Sequence, residues 1–407
     1  MTAQSNKQSG TRDDVPQSFG TALAGAVKSN MRQYTMIAAL LLIWIIFTFL
    51  TQGVFLTPRN LSNLFLQMVT IGILTGGMLL VMVAGHIDLS VGAVCGTLGA
   101  VVAYLMSKMY VHPVLAILIT VALGALVGLW NGFWVAYQGV PAFIVTLASQ
   151  ITFRGLTLAI TGGKTIGEFP ASFKEIGQGY IPRLLLHDAQ FHDLSVLICV
   201  MAILAFLFME FRRRRKRVAN GFLVLPWSLE IIKVVIICVS VGVLGYVFGS
   251  YRGISYAMVI LAAIVAIYTV LTTRTPFGRH VYAIGGNREA ARLSGVNIRR
   301  TMLTIFLSMG TLSGVAAVVF TARLNAATTA AGNLFELDTI AACIIGGTST
   351  TGGIGTVFGA IIGALVMASL NNGMSLMNLD VMVQYIVKGI ILLLAVWVDI
   401  ANKRKSA

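Results

Sequence analysis

Residues 64–83 read LFLQMVTIGILTGGMLLVMV, twenty consecutive positions without a charged side chain. About 20 such residues rise far enough as a helix to cross the hydrocarbon of a bilayer. Working outward, further apolar runs lie at 34–50, 89–106, 113–137, 140–160, 194–211, 225–248, 254–273, 301–322, 337–347, 354–376 and 381–398. Inside lipid every backbone N–H and C=O must be satisfied internally, which restricts such runs to helices or closed barrels. Barrel strands are about 10 residues long and alternate in polarity, and these runs do neither. The reading is an all-α polytopic transmembrane bundle of about twelve spans.

Composition agrees. Of 407 residues, 57% are hydrophobic and 11% are charged, against about 45–50% and about 25% in soluble domains. That profile excludes an ordinary soluble enzyme, and also disorder, which requires low hydrophobicity. The formal charge of +15 comes from short basic segments between apolar runs, the pattern of cytoplasmic loops. No soluble basic domain with aromatic platforms exists to serve nucleic acid.

Charge also sets the orientation. Basic clusters follow the sixth run (Arg212 to Arg217), the eighth (274–300) and the twelfth (Lys403, Arg404, Lys405). With a cytoplasmic tail at 1–33, each cluster follows an even number of crossings, as the positive-inside rule requires. The run at 337–347 has the length of a broken or re-entrant piece, yet this parity requires it to cross. The expected organisation is a tail at 1–33, a transmembrane body at 34–400 and a basic tail at 401–407, with both termini cytoplasmic in an inner membrane. Residues 1–33 lack the apolar stretch of a cleavable signal.

Several familiar chemistries are missing. Gly163-Lys164-Thr165 has Leu158 where a P-loop needs glycine. Gly353-Ile354-Gly355 with Gly359 follows no strand, so it reads as packing glycine, not a dinucleotide fingerprint. Gly124, Gly128 and Gly132, like Gly355, Gly359 and Gly363, stand at the spacing that lets helix backbones approach. Cys95, Cys199, Cys238 and Cys343 lie in apolar runs without ligand spacing and read as buried thiols. His187, Asp188, His192 and Asp193 read as a solvated loop ahead of a metal site. We assign no catalytic residue, metal or cofactor.

Ionisable residues within the runs are Asp88, Arg154, Glu230, Lys233, Asp338 and Lys388, and such residues default to function. Glu230 and Lys233 stand at i,i+3, where pairing with each other and snorkelling suffice. Lys388 faces the bundle, either on a structural partner or on a pathway. Asp88 and Ser90 sit in the glycine-flanked break Gly85-His86-Ile87-Asp88-Leu89-Ser90-Val91-Gly92, the kind of interruption tolerated where a cavity is lined.

The 274–300 segment reads RTPFGRHVYAIGGNREAARLSGVNIRR. Pro276 with Gly278 suggests a turn, and Gly285-Gly286-Asn287 a second. Asn287 can cap a short helix through Glu289-Ala290-Ala291-Arg292-Leu293, which Gly295 closes. Such a helix suits insertion into a groove on another subunit.

Glu289-Ala290-Ala291 followed by Gly295 resembles the EAA-xxx-G coupling motif of permease subunits in binding-protein-dependent ABC importers. Residues 282–287, the Ile-Asp-Leu-Ser-Val-Gly stretch at 87–92 and the segment from Ile345 to Gly355 resemble the ribose/xylose/arabinose branch. Ala341-Ala342-Cys343 and Leu370-Asn371-Asn372-Gly373-Met374-Ser375 are most similar to xylose-type permeases. The resemblance, over roughly 35–400, implies import of a monosaccharide, a xylose-type pentose favoured. It also implies a separate cytoplasmic ABC ATPase, an external sugar-binding protein and a second permease chain, expected as a homodimer in membrane lipid. Arg288, Glu289, Ala290, Ala291, Arg292 and Gly295 would form the coupling element. Asp88, Ser90 and Arg154 are the pathway candidates. Relative to shorter ten-span members, 194–248 reads as an added helix pair. The rival readings are an ion-coupled secondary sugar transporter using Asp88 and Asp338, and a channel or scaffold.

Overall fold

A computed structural model describes residues 31–184, 191–221 and 227–404. Along the chain, α1 (Met31–Leu50) leads through a 3-10 turn to α2 (Pro58–Val83), and a non-helical break precedes α3 (Val91–Ser107). Then come α4 (Pro113–Ala136), α5 (Ala142–Thr161), strand β1 (Ile166–Gly167) and a short α6 (Ala171–Gln178). Next are α7 (Asp193–Ala219), α8 (Trp227–Gly249), α9 (Tyr256–Arg274), α10 (Pro276–Gly286), α11 (Arg288–Leu293) and α12 (Ile298–Leu324). Strand β2 (Ala326–Ala327), α13 (Phe335–Ile345), α14 (Val357–Leu376) and α15 (Val381–Arg404) complete it. Among the described residues nine helices are long and apolar enough to cross a membrane; α1 and α3 carry shorter apolar stretches.

Local chemistry sets the helix starts. Thr57, Thr275 and Thr356 each accept from the backbone N–H three residues on, and Pro58, Pro113 and Pro276 take first-turn positions, where proline loses no helical hydrogen bond. The segment 274–300 corrects one expectation here. Pro276 and Gly278 do not make a turn; they open α10, which runs to Gly286 and ends at Asn287.

The core is α2, α12 and α14, with most of each apolar stretch inside the bundle, whereas α15 and α7 are almost wholly unburied. The apolar faces that α7 and α15 leave uncovered require an apolar surrounding. Glycine brings α4 onto the core helix α12. A Cβ on Gly128 would stand 2.3 Å from the Phe306 carbonyl oxygen, and one on Gly310 2.2 Å from that of Gly124. The α13–α14 hairpin is as tight: a Cβ on Gly363 would meet the Ala342 oxygen at 1.8 Å. The small-residue spacing is therefore packing, as read.

α13 has 11 residues, a rise of about 16 Å, half the hydrocarbon. It is approached by non-helical chain from Asn325, which carries β2, paired antiparallel with β1. The 337–347 run is thus a half-length helix preceded by mostly non-helical chain.

α7 and α8 pack chiefly on one another, and here the sequence reading of the ion pairs is corrected. Glu230 and Lys233 do not pair with each other. Lys233 bonds Glu210, and Arg214 bonds Glu230, both across the hairpin. Two opposite charges on facing helices satisfy both acids better than one exposed i,i+3 contact, which is worth only a few tenths of a kcal/mol. The four cysteines are free thiols. His187 and Asp188 lie outside the described residues, as do 1–30 and 405–407; His192 instead caps α7 and contacts Ser195.

Gly128→Val puts a branched side chain into backbone it cannot pass. Membrane abundance of the variant should fall several-fold, read by immunoblot, while Gly155→Ala, with open space at its Cβ, should leave abundance unchanged.

Candidate functional site

Two assemblies carry most of the polar chemistry. The first is a platform at the α2–α3 break. Val83 ends α2, and its carbonyl oxygen accepts from Gly353 N–H at 2.8 Å. Gly285 of α10 lies against the same atoms: a Cβ there would fall 1.7 Å from the Val83 oxygen and 2.5 Å from Gly353 N. Any side chain at 285 would separate the three segments. Gly352 and Gly353 hold φ of +91° and +76°, a backbone region glycine enters without penalty. Tyr282 donates its hydroxyl to the Gly355 carbonyl at 2.7 Å, and Thr350 donates to Asp399 of α15. The 346–355 loop is therefore a socket joining α2, α10 and α15 to the base of α13.

α11 stands on this platform. Asn287 accepts from Ala290 N–H at 2.9 Å, Ala291 is buried, and Gly295, at φ +84°, closes the turn. Glu289 and Arg292 pair at 3.0 Å on the exposed face. Arg288 lies close enough to His86 to depress the imidazole pKa, although burial is the larger cause. The predicted coupling residues thus share one short helix and its caps, with Glu289, Ala290 and Arg292 turned outward.

The second assembly surrounds the start of α13. Arg154 of α5 donates to the carbonyls of Ala331 and Gly332 at 2.8 and 2.9 Å and reaches Asn333. Gln150 donates to Glu336 at 2.8 Å. Lys388 of α15 and Asn371 of α14 both donate to Asp338 Oδ2, at 3.0 and 3.1 Å. Asn333 donates to the Tyr385 hydroxyl. Glu336 and Asp338 occupy the first turn of α13, where the exposed N–H groups of a helix favour negative charge. Glu336 Oε2, Asp338 Oδ1 and Asn371 Oδ1 are buried without a donor among the described residues. Three buried acceptors without a donor thus cluster about the start of α13.

The sequence candidates divide between the two regions. Asp88 accepts from Ser90 N–H and Oγ at 2.8 and 2.6 Å, and Asn131 and Ser149 extend that chain to α4 and α5. This network braces the break. Arg154 belongs to the second assembly. Gln150, Glu336 and Asn371 are not among the pathway candidates read from sequence, where their one signal is polar chemistry in largely apolar segments; of the two roles left open for Lys388, the structure shows a partner, Asp338.

Residues 60–396 match the family model described as branched-chain amino acid transport system, permease component. The chain belongs to that permease family. Among curated relatives, the xylose transport system permease protein XylH of Escherichia coli strain K12 is 43% identical over 96% of this chain and 97% of its own length. XylH of Haemophilus influenzae is 42% identical over 92% and 98%. The ribose import permease protein RbsC of Bacillus subtilis is 32% identical over 90% and 92%. No solved structure matches the chain. A permease of this family moves solute and is not an enzyme, so the site is to be read as passage and coupling, not as catalysis.

The Lys388–Asp338 pair gives a direct test of the permease interior. Lys388→Met leaves Asp338 buried without its cation, a loss of about 3–5 kcal/mol for breaking one side of a buried pair. Thermal aggregation of the purified variant should begin well below that of the parent. Lys388→Met combined with Asp338→Asn should recover most of the difference; no recovery would mean the pair is not what holds α15 to α13.

Proposed function

We propose that this permease is the membrane-spanning subunit of an ATP-driven importer of a monosaccharide, with a xylose-type pentose as cargo. A separate cytoplasmic ATPase supplies the energy, an external binding protein delivers the sugar, and two copies of the chain work side by side in the inner membrane with both termini cytoplasmic. In this reading the body makes twelve crossings, the chain from 325 through α13 counting as one, and 194–248 is an added pair. The names of the relatives, xylose ahead of ribose in identity, support the choice of cargo.

The observation that carries the proposal is α11 on its platform. A capped helix of six residues is too short to persist alone, yet α11 is held in place by Asn287, Ala291 and Gly295. Its outward face carries Glu289 and Arg292, suited to a complementary charged groove on a partner. When the ATPase closes, displacement of α11 passes through α10 and Gly285 to the Val83 carbonyl and the 346–355 loop. That loop is covalently continuous with α13, whose other end bears Glu336 and Asp338. The coupling surface and the polar interior therefore share one short rigid element.

The interior suits a neutral polyhydroxyl cargo. In this reading its hydroxyls donate to the donor-less oxygens of Glu336, Asp338 and Asn371, which are buried in this conformation, while Arg154 holds the neighbouring backbone. Asp88 and Ser90, through Asn131, fix the inner break that this passage must cross. Binding there is weak by design of its chemistry, since each contact replaces one the sugar already made with water.

Gly295→Val and Glu289→Lys test the coupling step. Valine is strained at positive φ, and lysine reverses the charge offered to the partner. Both variants should reach the membrane at parental abundance, lose sugar uptake by tenfold or more, and fail to retain the ATPase on copurification. Normal transport with the ATPase retained would remove α11 from this role.

A further inference from the structure

The α7–α8 hairpin carries a feature that coupling and passage leave unused. α7 is 27 residues long, about 40 Å, whereas hydrocarbon is about 30 Å thick. Its uncharged stretch ends before Glu210, so the helix continues about two turns past the apolar core. Those turns hold Arg212, Arg213, Arg214, Arg215, Lys216 and Arg217 in an unbroken run. At 100° per residue six successive cations surround the helix completely.

Glu210 and Glu230 neutralise only one of them. Glu210 is engaged by Lys233 and Glu230 by Arg214, and no acidic residue occurs between 210 and 230. Arg212, Arg213, Arg215, Lys216 and Arg217 are exposed, and among the described residues none has a carboxylate within ion-pair distance. The pairing inside the hairpin thus leaves five cations directed at the headgroup layer.

Immediately below the basic turns, α7 and α8 enclose a groove of about 320 Å³ with Leu207, Phe211, Trp227, Ile231, Val234 and Val235 along its walls. Arg214 crosses its mouth, 3.8 Å above the Trp227 ring, and the ring is itself 61% exposed. A mostly apolar groove, its only acids Glu210 and Glu230 already paired, opening beneath a ring of cations, has the two-part polarity of one ligand class. We infer that the hairpin holds an anionic phospholipid of the inner leaflet, its phosphate on the basic turns and one acyl chain in the α7–α8 groove. Topology alone would be satisfied by the basic segments elsewhere; it requires neither the groove nor the internal neutralisation of Arg214. Cationic clusters next to a membrane helix attract anionic lipid by about 1 kcal/mol per charge, so five open cations give strong selectivity. The inference assumes the cytoplasmic placement of this turn from the proposed function, but not the coupling role of α11.

The test uses the full-length permease, purified in mild detergent with equal phosphatidylglycerol and phosphatidylcholine, with retained lipid counted by native mass spectrometry. The parent should keep phosphatidylglycerol over phosphatidylcholine about tenfold or more. Replacing Arg212, Arg213, Arg215, Lys216 and Arg217 together with Gln should abolish that preference. Replacing the four arginines with Lys keeps the charge and should preserve it. Val234→Trp, which fills the groove and leaves every charge in place, should reduce retention several-fold. Equal retention of the two lipids by the parent, or a preference unchanged in the Gln variant, overturns the inference. Unchanged lipid with loss of the ATPase in the Gln variant would assign the patch to a protein and overturn it equally. Because lipid counting needs no transport, failure here is distinguishable from failure of the importer reading by uptake in the same variants.

Discussion

Gly285 lies with its bare Cα against the Val83 carbonyl and the Gly353 amide, and the rest of the structure depends on that approach. A methyl group at this position would overlap the oxygen, so three segments far apart in sequence can meet only because no side chain stands between them. The contact places the surface helix α11 within two helical turns of the α2–α3 break. It also joins α11 to the loop that ends α13. Where apolar surface gives helices no drive to associate, backbone contact of this kind is the means of fixing geometry.

From there the constraint runs inward. α13 is a half-length helix, and such an interruption is tolerated in lipid only when surrounding protein satisfies the freed backbone. Arg154 does this for Ala331 and Gly332, and Gly92 and Gly96 allow the non-helical chain to lie against α3. The acids of the first turn of α13 are held by Gln150, Asn371 and Lys388. This arrangement holds its polar atoms fixed and leaves three buried acceptors without a donor among the described residues.

Much of this was legible in the sequence, for identifiable reasons. Hydrophobic length depends on the bilayer itself, so the helical membrane class followed from residues alone, and nine of the twelve runs are helices long and apolar enough to cross among the described residues. Asn287 and Gly295 marked α11 because capping is local. Pro276 misled as a turn signal, although proline after threonine is equally a helix start, and Thr275 made it one. Glu230 and Lys233 were misread because the i,i+3 rule sees one helix, whereas their partners stand across a hairpin. Asp338 and Lys388 are 50 residues apart, and no periodicity connects them. The glycine run at 346–355 carried a resemblance, but its role as a socket needs the positions of Val83 and Gly285.

On the proposed reading, this chain conducts sugar only when an ATPase drives it through α11. Proteoliposomes holding the permease, its cognate ATPase and its external binding protein test this most directly. The account predicts that xylose stimulates ATP hydrolysis and enters the vesicles only when all three components and ATP are present. Xylose accumulation by the permease alone, driven by a proton gradient without ATPase, would contradict it.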